Sequence, residues 1–99
     1  MFRIYKYPVD VDSAVQIIEL PKNAQIISAG LDPNEEVCLW AVVDDRETRK
    51  IEKTIYCIGT GWPIDLIVGN KTDTFNFIDT VKAGPYMWHY FEGSEREIE

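Results

Sequence analysis

The chain reads as an all-β domain: a small β-sandwich or partly open barrel of about seven mainly antiparallel strands. Three observations predict it. Apolar and β-branched residues arrive in runs of about five to nine, separated by turn residues. Several runs alternate between faces, as half-buried strands do. No long stretch repeats its apolar residues at helical spacing. At 99 residues, the chain is the size of one domain. It can bury roughly 60–65% of its unfolded surface without staples.

The elements follow in order. Phe2 to Tyr7 is the first expected strand and stops at Pro8. Val15 to Leu20 is the second, stopped by Pro21, with Lys22-Asn23 as a turn because Asn tolerates left-handed backbone. A helical turn over Asp10 to Ile18, capped by Asp12 or Ser13 with Gln16, is the weaker reading of that stretch. Ala24 to Leu31 is the third strand, turned by Asp32-Pro33-Asn34. Val37 to Val43 is the fourth; both its faces are apolar, which predicts a central strand covered on both sides, with Trp40 in the core. Ile51 to Ile58 is the fifth. Its Glu52, Lys53 and Thr54 suggest greater exposure, and it ends at Gly59-Thr60-Gly61. Phe75 to Val81 is the sixth, turned by Ala83-Gly84-Pro85, and Tyr86 to Phe91 is the last. Residues 1–92 form the domain, and the charged tail 93–99 is expected to fray.

Composition excludes some functions. Seventeen acids against ten bases leave a net charge of −7. Such a chain is repelled by phosphate backbones and by anionic membranes, so neither nucleic acid nor membrane is an expected partner. The charge serves solubility, or forms a surface that imitates nucleic acid in a basic site of another protein. No apolar run approaches the ~20 residues of a membrane helix. The N-terminus lacks a signal-peptide core, so a cytoplasmic location is expected. Cys38 and Cys57 each sit in an apolar run and read as small buried hydrophobes. Asn70-Lys71-Thr72 fits a glycosylation acceptor, but without a secretory signal it reads as chance.

No catalytic, metal or cofactor motif stands out. His89 is the sole histidine, with no second ligand at metal spacing. It is either a packed strand residue or a general base or pH switch. The carboxylate pairs Glu35-Glu36 and Asp44-Asp45 read as solvated surface. The segment Gly59-Thr60-Gly61-Trp62-Pro63-Ile64 draws most interest. Its backbone amides could cradle an anion, and Trp62 could stack on a base. The plainer reading is a tight turn with Trp62 capping the core. Tyr5 and Tyr7 share one strand face, with Lys6 opposite. They form either a stacking platform or a cross-strand aromatic cluster. Trp88 and Tyr90 share a face too and read as core or a subunit interface.

Several segments occur together in a recognisable order. They are Tyr5-Lys6-Tyr7-Pro8, Leu20-Pro21 with Ala24, Cys38-Leu39-Trp40-Ala41, Gly59-Thr60-Gly61-x-Pro63-Ile64, Phe77-Ile78-Asp79-Thr80, and Gly84-Pro85-x-x-Trp88-His89-x-Phe91-Glu92. In this set the chain resembles a family of short phage and prophage accessory proteins of unknown function. The family brings no activity and no catalytic residues. Trp62 stands where that family more often has a polar residue or His, and the stretch from Asp65 to Asn76 looks longer than usual. The resemblance implies a non-enzymatic protein that binds and modulates a host protein, anti-defence being one such role. A nucleotide-binding or sequestering protein and a virion structural or morphogenesis protein are the alternatives. A homo-oligomer is expected, and no cofactor.

Overall fold

The computed structural model describes residues 1–69 and 74–98. The triplet Asn70-Lys71-Thr72 lies outside the described residues. All seven expected runs are strands: β1 (Phe2–Pro8), β2 (Val15–Pro21), β3 (Gln25–Leu31), β4 (Val37–Asp44), β5 (Lys50–Gly59), β6 (Asn76–Ala83) and β7 (Tyr86–Ile98). One short helix, α1 (Ile64–Val68), follows β5. Five residues are too few to show an amphipathic period, which is why the sequence did not reveal it.

The strands form two antiparallel sheets, ordered β1-β4-β3 and β2-β5-β7-β6. They approach each other at the β3 and β6 edges. There the Ala29 N–H donates to the Asp79 carboxylate at 3.3 Å. The core lies between the sheets. Ala29, Val37 and Leu39 on one side meet Ile55, Cys57, Val81 and Tyr90 on the other. Full burial of side chains such as Leu39 and Ile55, both 0% exposed, stabilises the fold by about 1.5–3 kcal/mol each.

Alternation explains these assignments. In β4, Val37, Leu39, Ala41 and Val43 are all buried on the inner face. The opposite face is covered less evenly. Cys38 is buried, while Trp40 and Val42 are half-buried. Trp40 therefore lies on the outside of its sheet, over Gly30, not in the core; a Cβ on Gly30 would come within 3.3 Å of its ring. Cys38 and Cys57 are free and buried, and they belong to different sheets.

Two expectations are corrected by strand pairing. β5 is not an exposed strand but a central one, flanked by β2 and β7. Its polar residues are accommodated by partners. Lys53, 8% exposed, donates to Glu95 at 2.8 Å, and Arg96 pairs with Glu52. The tail from residue 93 does not fray within the described residues: β7 runs to Ile98, with Lys50 opposite Ile98 and Lys53 opposite Glu95. A bulge between these pairs and Ile55–Glu92 takes up an extra β7 residue. The charges that made the tail look solvated are the ones that pair it across the strands.

The β3–β4 connection is organised by one carboxylate. Asp32 Oδ1 accepts the backbone N–H groups of Asn34 at 2.8 Å and Glu36 at 2.9 Å. Its Oδ2 accepts the Lys6 ammonium at 2.9 Å. The Lys6 hydrogen bond first, and the backbone donors with it, hold the Asp32 carboxyl below its ordinary value.

Candidate functional site

The site begins with a turn. At the end of β5, the Trp62 N–H donates to the Gly59 carbonyl at 3.0 Å. Gly61, third in this four-residue turn, has φ 87°, a left-handed value that glycine adopts without strain. Gly59 serves a different need. A Cβ there would sit 2.7 Å from Cε2 of Trp62 and 2.9 Å from its Nε1. The indole thus lies directly on the Gly59 backbone. One glycine shapes the turn and the other seats the ring.

The sheet register brings the second tryptophan to the same place, because Gly59 is paired with Trp88 of β7. The indoles of Trp62 and Trp88 meet edge to face, with centroids 5.5 Å apart and planes at 70°. The β6–β7 hairpin supplies a third ring. Its two-residue loop, Gly84-Pro85, has Gly84 at φ 60°, a backbone suited to tight hairpins. Tyr86 then stacks on Trp88 at 5.3 Å and 25°. Trp62, Tyr86 and Met87 stay 44%, 58% and 43% exposed, and Trp88 is half-buried.

Two open grooves flank this cluster. One, of about 390 Å³, is lined by Gly59, Thr60, Trp62 and the segment from Pro85 to Trp88. The other, of about 440 Å³, is lined by Val11, Asp12, Ala83 and the three rings. Both have the volume of small-ligand pockets. Among the described residues no Lys or Arg lines either groove, and Asp12 puts a carboxylate in the second.

The loop that carries Asp12 is held by Asp10, not by a helical cap. Asp10 accepts the Asp12 N–H at 2.9 Å and the Ser13 hydroxyl at 3.0 Å. Gln16 brackets Asp10 in turn. Its Oε1 accepts the Asp10 N–H at 3.0 Å, and its Nε2 donates to the Asp10 carbonyl at 2.9 Å. The backbone of the Val11–Asp12 wall is therefore held by Asp10, which Gln16 braces in turn.

His89 sits beside the site. Its Nε2 is 2.8 Å from the Thr60 hydroxyl and its Nδ1 is 3.0 Å from the Thr80 hydroxyl. A hydroxyl can donate or accept, so two threonines satisfy the ring in either tautomer. The imidazole ties the glycine turn to β6. Tyr5 and Tyr7 do share a strand face, opposite Ala41 and Leu39 of β4. They belong to the other sheet and line neither groove. The structure thus joins Gly59, Thr60, Gly61, Trp62 and His89 into one neighbourhood, and leaves the two tyrosines out of it. Sequence reasoning missed Asp12, Tyr86 and Met87 as members. The Gly84-Pro85 hairpin signal could have found Tyr86, since it places Tyr86 and Trp88 on one face of β7. Among the described residues, no three of His, Cys, Asp and Glu gather where a metal ion could be held. No helix among them is long and apolar enough to cross a membrane.

These features define a small two-sheet all-β domain with an exposed aromatic end. The chain belongs to the family described as Domain of unknown function (DUF7352), whose model matches residues 1–99. No curated protein and no solved structure matches the chain.

Proposed function

We propose that this protein is a non-enzymatic binding module that docks on another protein through its aromatic end. The observation that carries the reading is the exposed set Trp62, Tyr86 and Met87 around the half-buried Trp88. Aromatic residues and methionine are enriched at interfaces, and Trp and Tyr dominate binding energy there. The rings are also held in advance, by the Gly59 seat and the Gly84 hairpin, so docking orders little. The net charge of −7 favours a basic partner and speeds encounter with it. In the phage setting that the sequence resemblance implies, the partner is a host-cell protein whose activity the complex modulates.

The nucleotide reading draws less support from the same geometry. The Trp62 amide is already committed to the Gly59 carbonyl. Asp12 also places a negative charge where a phosphate would lie in the larger groove.

The test is affinity capture from a lysate of the cell in which the protein is expressed. The wild type is compared with a Trp62→Ser, Tyr86→Ser double variant. An Ile17→Ser, Phe77→Ser variant serves as control, because those exposed residues line neither groove. A stoichiometric protein kept by the wild type and the control, and lost by the aromatic variant, is the expected result. Equal capture by all three overturns the proposed site.

A further inference from the structure

We infer that the groove between the Val11–Asp12 turn and the three rings takes a cationic side chain of the docked partner, a lysine ammonium or an arginine guanidinium. The inference rests on the docking reading and deepens it by naming what the groove recognises. Trp62, Tyr86 and Trp88 all line this groove of about 440 Å³. The two indole planes stand at 70° and Tyr86 lies at 25° to Trp88, so the walls face in more than one direction. Aromatic faces carry negative potential and attract a cation within about 6 Å of the ring centre.

The fourth wall supplies a full charge. Asp12 accepts no hydrogen bond and joins no ion pair among the described residues. Its loop is pinned by Asp10 and Gln16, so the backbone that carries the carboxylate is held before any ligand arrives. Val11 and Ala83 complete the lining. They suit the methylene stem of Lys or Arg, which packs on apolar surface while the head seeks charge.

Other occupants fit less well. An anion meets the Asp12 carboxylate and gains no cation from the described lining residues. A neutral apolar side chain would strip water from that carboxylate and offer no partner in exchange. A cationic side chain satisfies the rings and the carboxylate together.

The test is a titration of ¹⁵N-labelled protein, read at the Trp62 and Trp88 indole signals and at the Asp12 amide. The probes are Nα-acetyl-arginine amide, Nα-acetyl-lysine amide and Nα-acetyl-citrulline amide, the last being the uncharged isostere of arginine. The two cationic probes are expected to shift these signals together, and citrulline to bind roughly five- to tenfold more weakly. Asp12→Asn is expected to weaken arginine binding about two- to fivefold while leaving the indole signals of the free protein in place. Equal binding of citrulline, or no effect of Asp12→Asn, overturns the inference. The docking reading then still stands if partner capture continues to need Trp62 and Tyr86. Arginine binding without such capture has the opposite meaning: it supports the groove chemistry and removes the docking reading.

Discussion

Substituting Gly59 by alanine attacks the seat of the aromatic end without replacing any ring. The added Cβ would lie 2.7 Å from Cε2, 2.9 Å from Nε1 and 3.1 Å from Cδ2 of Trp62. Real Cβ contacts do not come so close, so the indole must lift or swing away. If it swings out entirely, it loses the buried part of its surface. At 44% exposure, that part is about 140 Å² of a ~250 Å² side chain, or about 3.5 kcal/mol as an upper bound. Lifting the ring in place costs about 1–3 kcal/mol of overpacking. The stiffer unfolded chain returns about 0.4–1 kcal/mol. The expected net loss is therefore about 1–2 kcal/mol. Urea unfolding followed by circular dichroism measures it, and the near-ultraviolet spectrum reports the Trp62–Trp88 geometry. A cycle with Trp62→Ser isolates the cause, because in that background the alanine should cost almost nothing. An alanine that costs the same with and without Trp62 refutes the seat as the reason for this glycine.

Further outcomes follow from three other parts of the fold. Tyr90 is 0% exposed and its hydroxyl has no partner of good geometry, only the nearby Cys57 thiol. Tyr90→Phe should thus stabilise the protein by about 1 kcal/mol, raising Tm by about 4–8 °C in a domain this size. Burial first, and Cys57 second, raises the Tyr90 phenol far above its ordinary value of 10.0. Its stability contribution is full below that value and is lost as pH rises above it, so Tyr90→Phe should flatten alkaline unfolding by up to about 1.4 kcal/mol per pH unit. At the acid end, the Lys6 bond lowers Asp32 and the Arg46 bond lowers Asp44. Their contributions are present above the ordinary value of 3.8 and are lost as pH falls below it, so thermal melts should drop through that range and Asp32→Asn should drop less. Phe2 and Ile4 are 70% and 60% exposed on β1, an edge strand of its sheet and so a template for pairing with a second copy. Sedimentation should show self-association in the wild type and monomers for Ile4→Lys; a monomeric wild type removes the homo-oligomer from the account.

Local signals carried most of the fold. Pro8, Pro21 and the Asp32-Pro33-Asn34 turn end strands where the structure ends or turns them. Asn23 adopts φ 67° as its turn requires. What the sequence hid depends on pairing across distance. Lys53 looked like a mark of exposure, because nothing local shows that Glu95 lies opposite it. The tail looked solvated because Glu95, Arg96 and Glu97 meet their partners far along the chain, Arg96 and Glu52 being 44 positions apart. The candidate site divides the same way. Gly59, Gly61 and Trp62 announced a turn with an aromatic residue. Tyr86 and Asp12 join it only through the β5–β7 register and the Asp10–Gln16 brace. Tyr5 and Tyr7 lie apart from it, in the other sheet, because strand alternation reports the face of a residue, not which sheet that face belongs to.

The most direct test of the aromatic end as a docking surface is photo-crosslinking in the cell. A benzophenone amino acid is placed in turn at Thr60, Tyr86, Ile17 and Phe77. One protein adduct, shared by positions 60 and 86 and missing from 17 and 77, is the expected result. Adducts confined to 17 or 77 would contradict it and move the docking surface away from the aromatic end.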